Sequence, residues 1–146
     1  MSSASGCPRN PGGRKSELAE LTPRQVEMLK RRNFAHFVTL MADGSPHATP
    51  MWVDAADGFV LVNTSVGRVK ERNARRDPRV ALTVQDRSNG YLWVGIHGTV
   101  VEFATEGADE HIDALSRRYG GKRWVPVPAQ RRVILRIRPD HVTGQG

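Results

Sequence analysis

The chain has a single cysteine, Cys7, and it stands in a polar N-terminal stretch. A lone cysteine forms no internal disulfide, so the sequence gives no sign of an oxidising compartment. No apolar run approaches the roughly 20 residues of a membrane-spanning helix. The opening residues, MSSASGCPRNPGGRKSELAE, also lack the apolar centre of a secretion signal. A soluble, cytoplasmic protein is the expectation. Metal ligands are equally scarce. The five histidines, at positions 36, 47, 97, 111 and 141, show neither HxH nor HxxxH spacing, and no second cysteine joins them; no metal site is expected. There is no G-x-S-x-G elbow, no Walker loop and no G-x-G-x-x-G dinucleotide fingerprint. An enzyme with so little covalent chemistry of its own would rely on an organic cofactor, which the polypeptide binds and orients.

Positive charge is in excess. Twenty-two Lys and Arg stand against fifteen Asp and Glu, a net charge of +7 over 146 residues. Such a balance attracts polyanions: nucleic acid, anionic lipid, or a phosphorylated or polycarboxylate cofactor. Most of the cations are Arg, whose planar fork suits phosphate and carboxylate better than Lys does. The length fits one domain with a core large enough to need no covalent staples.

Residues 1–20, rich in Ser, Pro and Gly, read as a flexible tail, and residues 21–146 as the folded domain. Thr22 has the chemistry of a helix N-cap, with Pro23 at the first helical position and Gln25 at the capping-box position. That helix should end near Arg31-Arg32-Asn33. Strands follow. Phe34–Met41 is an apolar run, Ala42–Ser45 holds an Asp-Gly hairpin turn, and PHATPMWVD is a second strand. Pro50 within it marks an edge, a bulge or backbone facing a ligand. A further Asp-Gly turn leads to FVLVNT. Val80, Leu82 and Val84 alternate as a fourth strand, and YLWVGIHGTVVEF makes a long fifth. A helix over 107–119 has Ile112, Leu115 and Tyr119 spaced for one face, and Gly120-Gly121 stops it. The last strand is RRVILRIRP, in which Val133, Leu135 and Ile137 alternate with Ile134, Arg136 and Arg138. Six strands joined mostly by tight turns, with three helices, predict a mainly β fold: a small antiparallel barrel with flanking helices.

The densest segment is NTSVGRVKERNARRDPRVAL, residues 63–82. Asn63, Thr64 and Ser65 end a strand, Gly67 allows close backbone approach, and a basic helix is expected from about Arg68 to Arg76. Arg68 and Lys70 then fall in the first helical turn, where free N–H groups and the helix dipole favour an anion. Glu71 and Asp77, bracketed by Arg, read as salt-bridge partners.

The order of these segments, with the signature G-R-x-K-x-R-N-x-x-R-D-P-R-V over residues 67–80, resembles the pyridoxamine 5′-phosphate oxidase-like split β-barrel superfamily. Within it, the chain is similar to the flavin/deazaflavin oxidoreductases of actinobacteria that use coenzyme F(420). The resemblance spans about residues 22–144. It implies a six-stranded antiparallel split β-barrel that pairs as a homodimer with cofactor sites at the interface. Arg68 and Lys70 would hold the cofactor phosphate. Pro50, Met51 and Trp52 would lie beside the ring system, with Asn63, Thr64, Ser65, Gly67 and Asn73 in the same site. Tyr91, Trp93 and the loop carrying Trp124 would complete the pocket from the partner subunit. The implied reaction is hydride transfer from reduced coenzyme F(420) to an unsaturated small molecule, with no catalytic residue assigned. His47, His97 and Tyr91 are candidate proton sources beside solvent. Flavin mononucleotide (FMN) is the alternative cofactor; the +7 charge favours the deazaflavin, whose tail carries phosphate and glutamates. A non-catalytic carrier of the same fold is a rival reading, and a nucleic-acid-binding protein a more distant one.

Overall fold

The computed structural model describes residues 19–145. Cys7 and most of the expected tail lie outside them. Ten elements follow one another: α1 (Pro23–Lys30), β1 (Ala35–Leu40), β2 (Pro46–Met51), β3 (Asp54–Ala56), β4 (Phe59–Ser65), α2 (Val69–Arg76), β5 (Arg79–Gln85), β6 (Trp93–Ala104), α3 (Ala108–Gly120) and β7 (Arg132–Gln145). The strands form one antiparallel sheet in the order β2-β1-β5-β6-β7-β4-β3.

The two outer strands of this sheet, β2 and β3, are consecutive in the chain. Only Trp52 and Val53 separate them. A sheet whose opposite edges are joined by two residues must curl until those edges meet. The result is a barrel with a seam that backbone hydrogen bonds do not close. This corrects the six-strand expectation: the run PHATPMWVD is two strands, because the chain leaves one edge after Met51 and joins the other at Asp54. Pro50 is on the edge strand β2, opposite His36 of β1, where its missing N–H costs the ladder least.

Period-two alternation fills the barrel. Val133, Leu135 and Ile137 of β7 are fully buried, as are Val60 and Val62 of β4 and Val84 of β5. Phe37, Leu82 and Ile96 complete the central layer. Each such side chain contributes about 1.5–3 kcal/mol on leaving water. Where β6 crosses β7 the register shifts between His97 and Gly98. A Cβ at Gly98 would stand 2.6 Å from Ile137 Cγ2 and 2.7 Å from the Arg138 carbonyl oxygen, so the crossing requires glycine.

The helices pack against the sheet, α1 on β3 and β5, α2 on β1 and α3 on β7 and β4. Thr22 caps α1 as expected: its hydroxyl accepts from the Gln25 N–H at 3.2 Å, and the Gln25 side chain accepts from the Thr22 N–H at 2.8 Å. Leu29 and Met28 seat α1 on β3 and β5. Helix α3 begins after Gly107, ends at Gly121, and packs on β7 and β4. It buries Ala108, Ile112, Leu115 and Ser116.

Candidate functional site

A cavity of about 400 Å³ opens at the seam. One end is apolar: Pro50, Met51 and Trp52 from the edge crossing, with Phe34, Ile112 and Trp124. The other is polar and cationic: Asn63 and Thr64 from the end of β4, Arg68 and Lys70 from the mouth of α2, and Arg132 from the start of β7.

The apolar end is held stiff by stacking. Tyr119 lies between Phe34 (centroids 5.7 Å apart, planes within 8°) and Trp52 (5.3 Å, 15°). Trp124 meets Trp52 edge-on at 6.3 Å. Tyr119 is fixed by its hydroxyl, which donates to the Asn33 carbonyl at 2.7 Å and accepts from the Val53 N–H at 3.2 Å. Burial raises the phenol's pKa above 10.0, against the opposing pull of its Val53 hydrogen bond. Such a wall offers flat faces and edges to a planar ligand.

The cationic end has its own logic. Helix α2 starts one residue later than expected. Arg68 is the N-cap, in extended conformation, and no side chain caps the helix. The N–H groups of the first turn, on Val69, Lys70 and Glu71, have no partner within the helix. The Gly67 N–H, by contrast, is taken by the buried Glu71 carboxylate at 2.9 Å, and Gly67 holds a φ of +96° that favours glycine. Arg132 crosses from β7. Its Nε donates to Asn63 Oδ1 at 2.9 Å and its Nη1 to Ser65 Oγ at 3.0 Å, and its guanidinium lies 5.1 Å from the Trp124 ring centroid.

Among the described residues none of Arg68, Lys70 and Arg132 has a carboxylate partner, although Arg75, Arg79, Arg117, Arg118 and Arg138 all do. Burial lowers the pKa of Lys70, and the charges of Arg68 and Arg132 lower it further. Burial and then Arg68 act the same way on Arg132. Three cations crowded at an open helix start with no carboxylate in contact, Asp109 acting on Arg132 only from farther off, are electrostatically incomplete, and an anion would relieve them.

Behind this end lies a polar chain. Asp54 Oδ2 accepts from His111 Nε2 at 3.1 Å, and Asp54 Oδ1 from Arg118 at 2.9 Å and Lys30 at 3.3 Å. Burial alone would raise the Asp54 carboxyl, but His111, the Ala55 N–H and Arg118 more than reverse it and hold it far below the usual carboxylate range. The Asn63 amide nitrogen donates to the Ala108 carbonyl at 2.9 Å and to His111 Nδ1 at 3.2 Å.

Several expected site residues are placed differently. Asn73 is buried under α2, where its amide donates to Thr39 Oγ1 at 3.0 Å and reaches Met41 Sδ; it fixes the helix to β1 and does not line the cavity. Ser65 and Gly67 stand behind the lining, the one holding Arg132 and the other turning the chain into α2. Trp124 belongs to the cavity of its own chain. Trp93 and the 83%-exposed Tyr91, expected at the pocket of a partner subunit, do not line the cavity of their own chain. His47 and His97 do not line it either; His97 lies beside His141 on another face, with ring centroids 5.8 Å apart. The remaining basic residues of the opening segment turn elsewhere. Arg72 donates to the Gly67 carbonyl, Arg75 pairs with Glu71 and lies over Phe103, Arg76 reaches the Leu40 carbonyl, and Arg79 pairs with Asp77.

Arg132 escaped the sequence reading. Its signal was there: in the alternation of the last strand it falls at the very start, opposite Ser65 of the basic segment. Only the β4–β7 pairing shows that they meet.

Residues 21–146 match the pyridoxamine 5′-phosphate oxidase family. Among curated proteins, the chain is 29% identical over 129 residues to an F(420)H(2)-dependent biliverdin reductase of Mycobacterium tuberculosis (strain CDC 1551 / Oshkosh), an alignment covering 85% of this chain and 88% of the relative. Among solved structures, an F(420) reductase superposes with a TM-score of 0.73 at 27% identity, covering 82% of this chain and 95% of the other. A conserved hypothetical protein from Mycobacterium tuberculosis shares the fold at a TM-score of 0.66 and 24% identity, with 86% and 84% coverage. No helix of the described residues is long and apolar enough to cross a membrane, and no group of His, Cys, Asp and Glu among them could hold a metal ion. The split barrel, the uncapped cationic helix mouth beside its seam and the match over residues 21–146 agree: the chain belongs to the pyridoxamine 5′-phosphate oxidase family.

Proposed function

We propose that the protein is an oxidoreductase that uses reduced coenzyme F(420) to reduce a flat, unsaturated small molecule. The observation that carries this reading is the set of uncompensated cations, Arg68, Lys70 and Arg132, at one end of a cavity whose other end is stacked aromatic wall. A ligand joining an anion to a planar ring system matches both ends. When bound, the deazaflavin would supply the hydride. The protein's part is placement. Arg68, Lys70 and the first-turn N–H groups of α2 hold the phosphate, Arg132 flanks it, and Pro50, Met51 and Trp52 lie along the rings. Trp52 and Trp124 exclude water on the apolar side. Among the described residues of one protomer no Asp, Glu, His or Tyr lines the cavity, so the proton would come from solvent or from Tyr91 of a covering second copy. The similarity to an F(420)H(2)-dependent biliverdin reductase and an F(420) reductase supports the cofactor, and the former supports a conjugated acceptor.

The pocket is open on one side, and we propose that a second copy covers it in a two-fold dimer, bringing Tyr91 and Trp93 to the partner's cavity. The test is a fluorescence titration with coenzyme F(420) and with FMN at physiological salt, followed by turnover of the reduced deazaflavin with biliverdin as probe. Tighter binding of coenzyme F(420) and loss of reduced cofactor on adding acceptor support the proposal. Equal or reversed affinities would move the assignment to a flavin enzyme. Tight binding without turnover on a panel of conjugated acceptors would leave a carrier.

A further inference from the structure

We propose that His111 is a positioning residue of the cation cluster, acting on Arg132 through the amide of Asn63. The inference rests on the reading that this cavity takes a phosphate-bearing cofactor. Its geometry is a chain of single-role hydrogen bonds. Arg132 Nε can only donate, so the Asn63 atom it meets at 2.9 Å is the oxygen. The Asn63 nitrogen then faces the Ala108 carbonyl at 2.9 Å and His111 Nδ1 at 3.2 Å, and spends one hydrogen on each. His111 Nδ1 therefore accepts, and its Nε2 carries the hydrogen donated to Asp54 Oδ2 at 3.1 Å. Asp54 in turn is held by Arg118, Lys30 and the Ala55 N–H. Every link has one permitted direction, so the Ala108 carbonyl and the Asp54–His111 pair together hold the Asn63 amide with its oxygen toward Arg132.

This matters because Arg132 is a long side chain among like charges, held in place without a carboxylate. Asn63 Oδ1 takes its Nε hydrogen, Ser65 Oγ and Gln130 Oε1 take its Nη1 hydrogens, and Nη2 has no hydrogen-bond partner among the described residues. That leaves Nη2 to donate to a bound anion. Helix α3, which carries His111, thereby sets the third cation of a site whose other two come from the mouth of α2.

The two ring nitrogens can be separated by substitution. In His111→Asn the amide oxygen takes the place of Nδ1, which keeps the Asn63 link and loses Asp54. In His111→Gln the longer amide reaches the place of Nε2, which keeps Asp54 and loses Asn63. The probes are two ligand pairs that differ by phosphate: coenzyme F(420) against its phosphate-free deazaflavin chromophore, and FMN against riboflavin. The ratio of affinities within a pair reads the anion site alone. We expect His111→Asn to keep the native ratio within about twofold and His111→Gln to lower it about tenfold, the size of one hydrogen bond to a charged group. Affinity for the phosphate-free partners should stay level across all three proteins. The inference is overturned if His111→Asn loses as much as His111→Gln, if both keep the native ratio, or if both lose phosphate-bearing and phosphate-free ligands alike. A native protein with no phosphate preference in either pair overturns the reading of the pocket as well. A native preference indifferent to both substitutions removes only the role of His111.

Discussion

Lys70→Gln should make the protein more stable and a poorer binder at the same time. The Lys70 ammonium is half-buried, and burial together with Arg68 and Arg132 lowers its pKa below 10.5. It is thus a liability in the free protein. With three like charges in one cluster, removing one abolishes two of the three pairwise repulsions. At a few tenths of a kcal/mol per like-charged pair, discounted because solvent screens a half-exposed group, the gain is about 0.5 kcal/mol. That corresponds to a Tm rise of roughly 2 °C for a domain of this size. Gln has nearly the helix propensity of Lys, so α2 itself is unaffected. For the ligand the sign reverses. Losing a hydrogen bond to an ionised phosphate costs about 1.5–3 kcal/mol, or roughly 10–100-fold in affinity. The assays are thermal unfolding without ligand and fluorescence titration with coenzyme F(420), with Arg24→Gln on the exposed face of α1 as the control. The pH dependence follows from the same shift. In the free protein Lys70 loses its proton below its ordinary range, and a bound anion raises the pKa again. Affinity is therefore full below the free-state pKa, falls as pH rises through it, and loses that slope in Lys70→Gln. A variant that melts lower than the native protein and binds within about twofold of it would refute the argument, because the charge cluster would then be neither strained nor used.

Three further outcomes follow. Arg75→Ala leaves the buried Glu71 with the Gly67 N–H as its remaining partner and strips the cation from Phe103; it should cost about 3 kcal/mol in urea unfolding, most of it recovered by adding Glu71→Gln, with cofactor affinity little changed in protein that remains folded. Gly98→Ala drives a Cβ to 2.6 Å from Ile137 Cγ2 and 2.7 Å from the Arg138 carbonyl, so chemical denaturation should show a loss of about 1–3 kcal/mol, and an unchanged midpoint would mean that the β6–β7 crossing relaxes freely. Asp54 has a folded-state pKa depressed below 3.8, so it contributes stability that is complete above that value and disappears as pH falls through the folded pKa; the stability gap between native protein and Asp54→Asn should be full at neutral pH and close in acid, and a constant gap from pH 7 to pH 2 would assign it to something other than charge.

The strands were legible because a half-buried strand writes its period into the sequence. Val133, Leu135 and Ile137 alternate with Ile134, Arg136 and Arg138, and all of the first set are buried. The capping box at Thr22 and the stop at Gly121 were legible for an equally local reason: the chemistry of a helix end is contained within four or five residues. The division of PHATPMWVD into β2 and β3 was not. Both halves have strand character, and only the sheet order reveals that they lie on opposite edges. The site divides the same way. Asn63, Thr64, Arg68 and Lys70 form a contiguous segment with an anion-binding pattern, and they do line the cavity. Asn73 belongs to the same segment and faces the other way, because position 73 of α2 points at β1. Arg132 and His111 are 62 and 41 residues from Lys70 in sequence, and no local pattern ties them to it.

The charge excess noticed in the sequence is resolved by partner rather than by number. Cations in the basic segment are common, and most are spent. Arg75 holds a buried carboxylate, Arg79 holds Asp77, and Arg72 and Arg76 hold backbone carbonyls. What distinguishes Arg68, Lys70 and Arg132 is that burial and mutual repulsion work against two of them and that no carboxylate among the described residues pairs with any of the three, Asp109 acting on Arg132 only from beyond contact. Evolution could relieve that strain with one nearby Asp. Glu71, one residue after Lys70, is instead turned inward onto the Gly67 N–H and Arg75, away from the cluster. An acid placed to neutralise the three cations would occupy the position we propose for the anion. The same seam that prevents the barrel from closing gives the cavity its aromatic wall, since the two residues that bridge the edges include Trp52. Cationic end and aromatic end are thus both consequences of unfinished structure: a helix start left uncapped, and a sheet left unjoined.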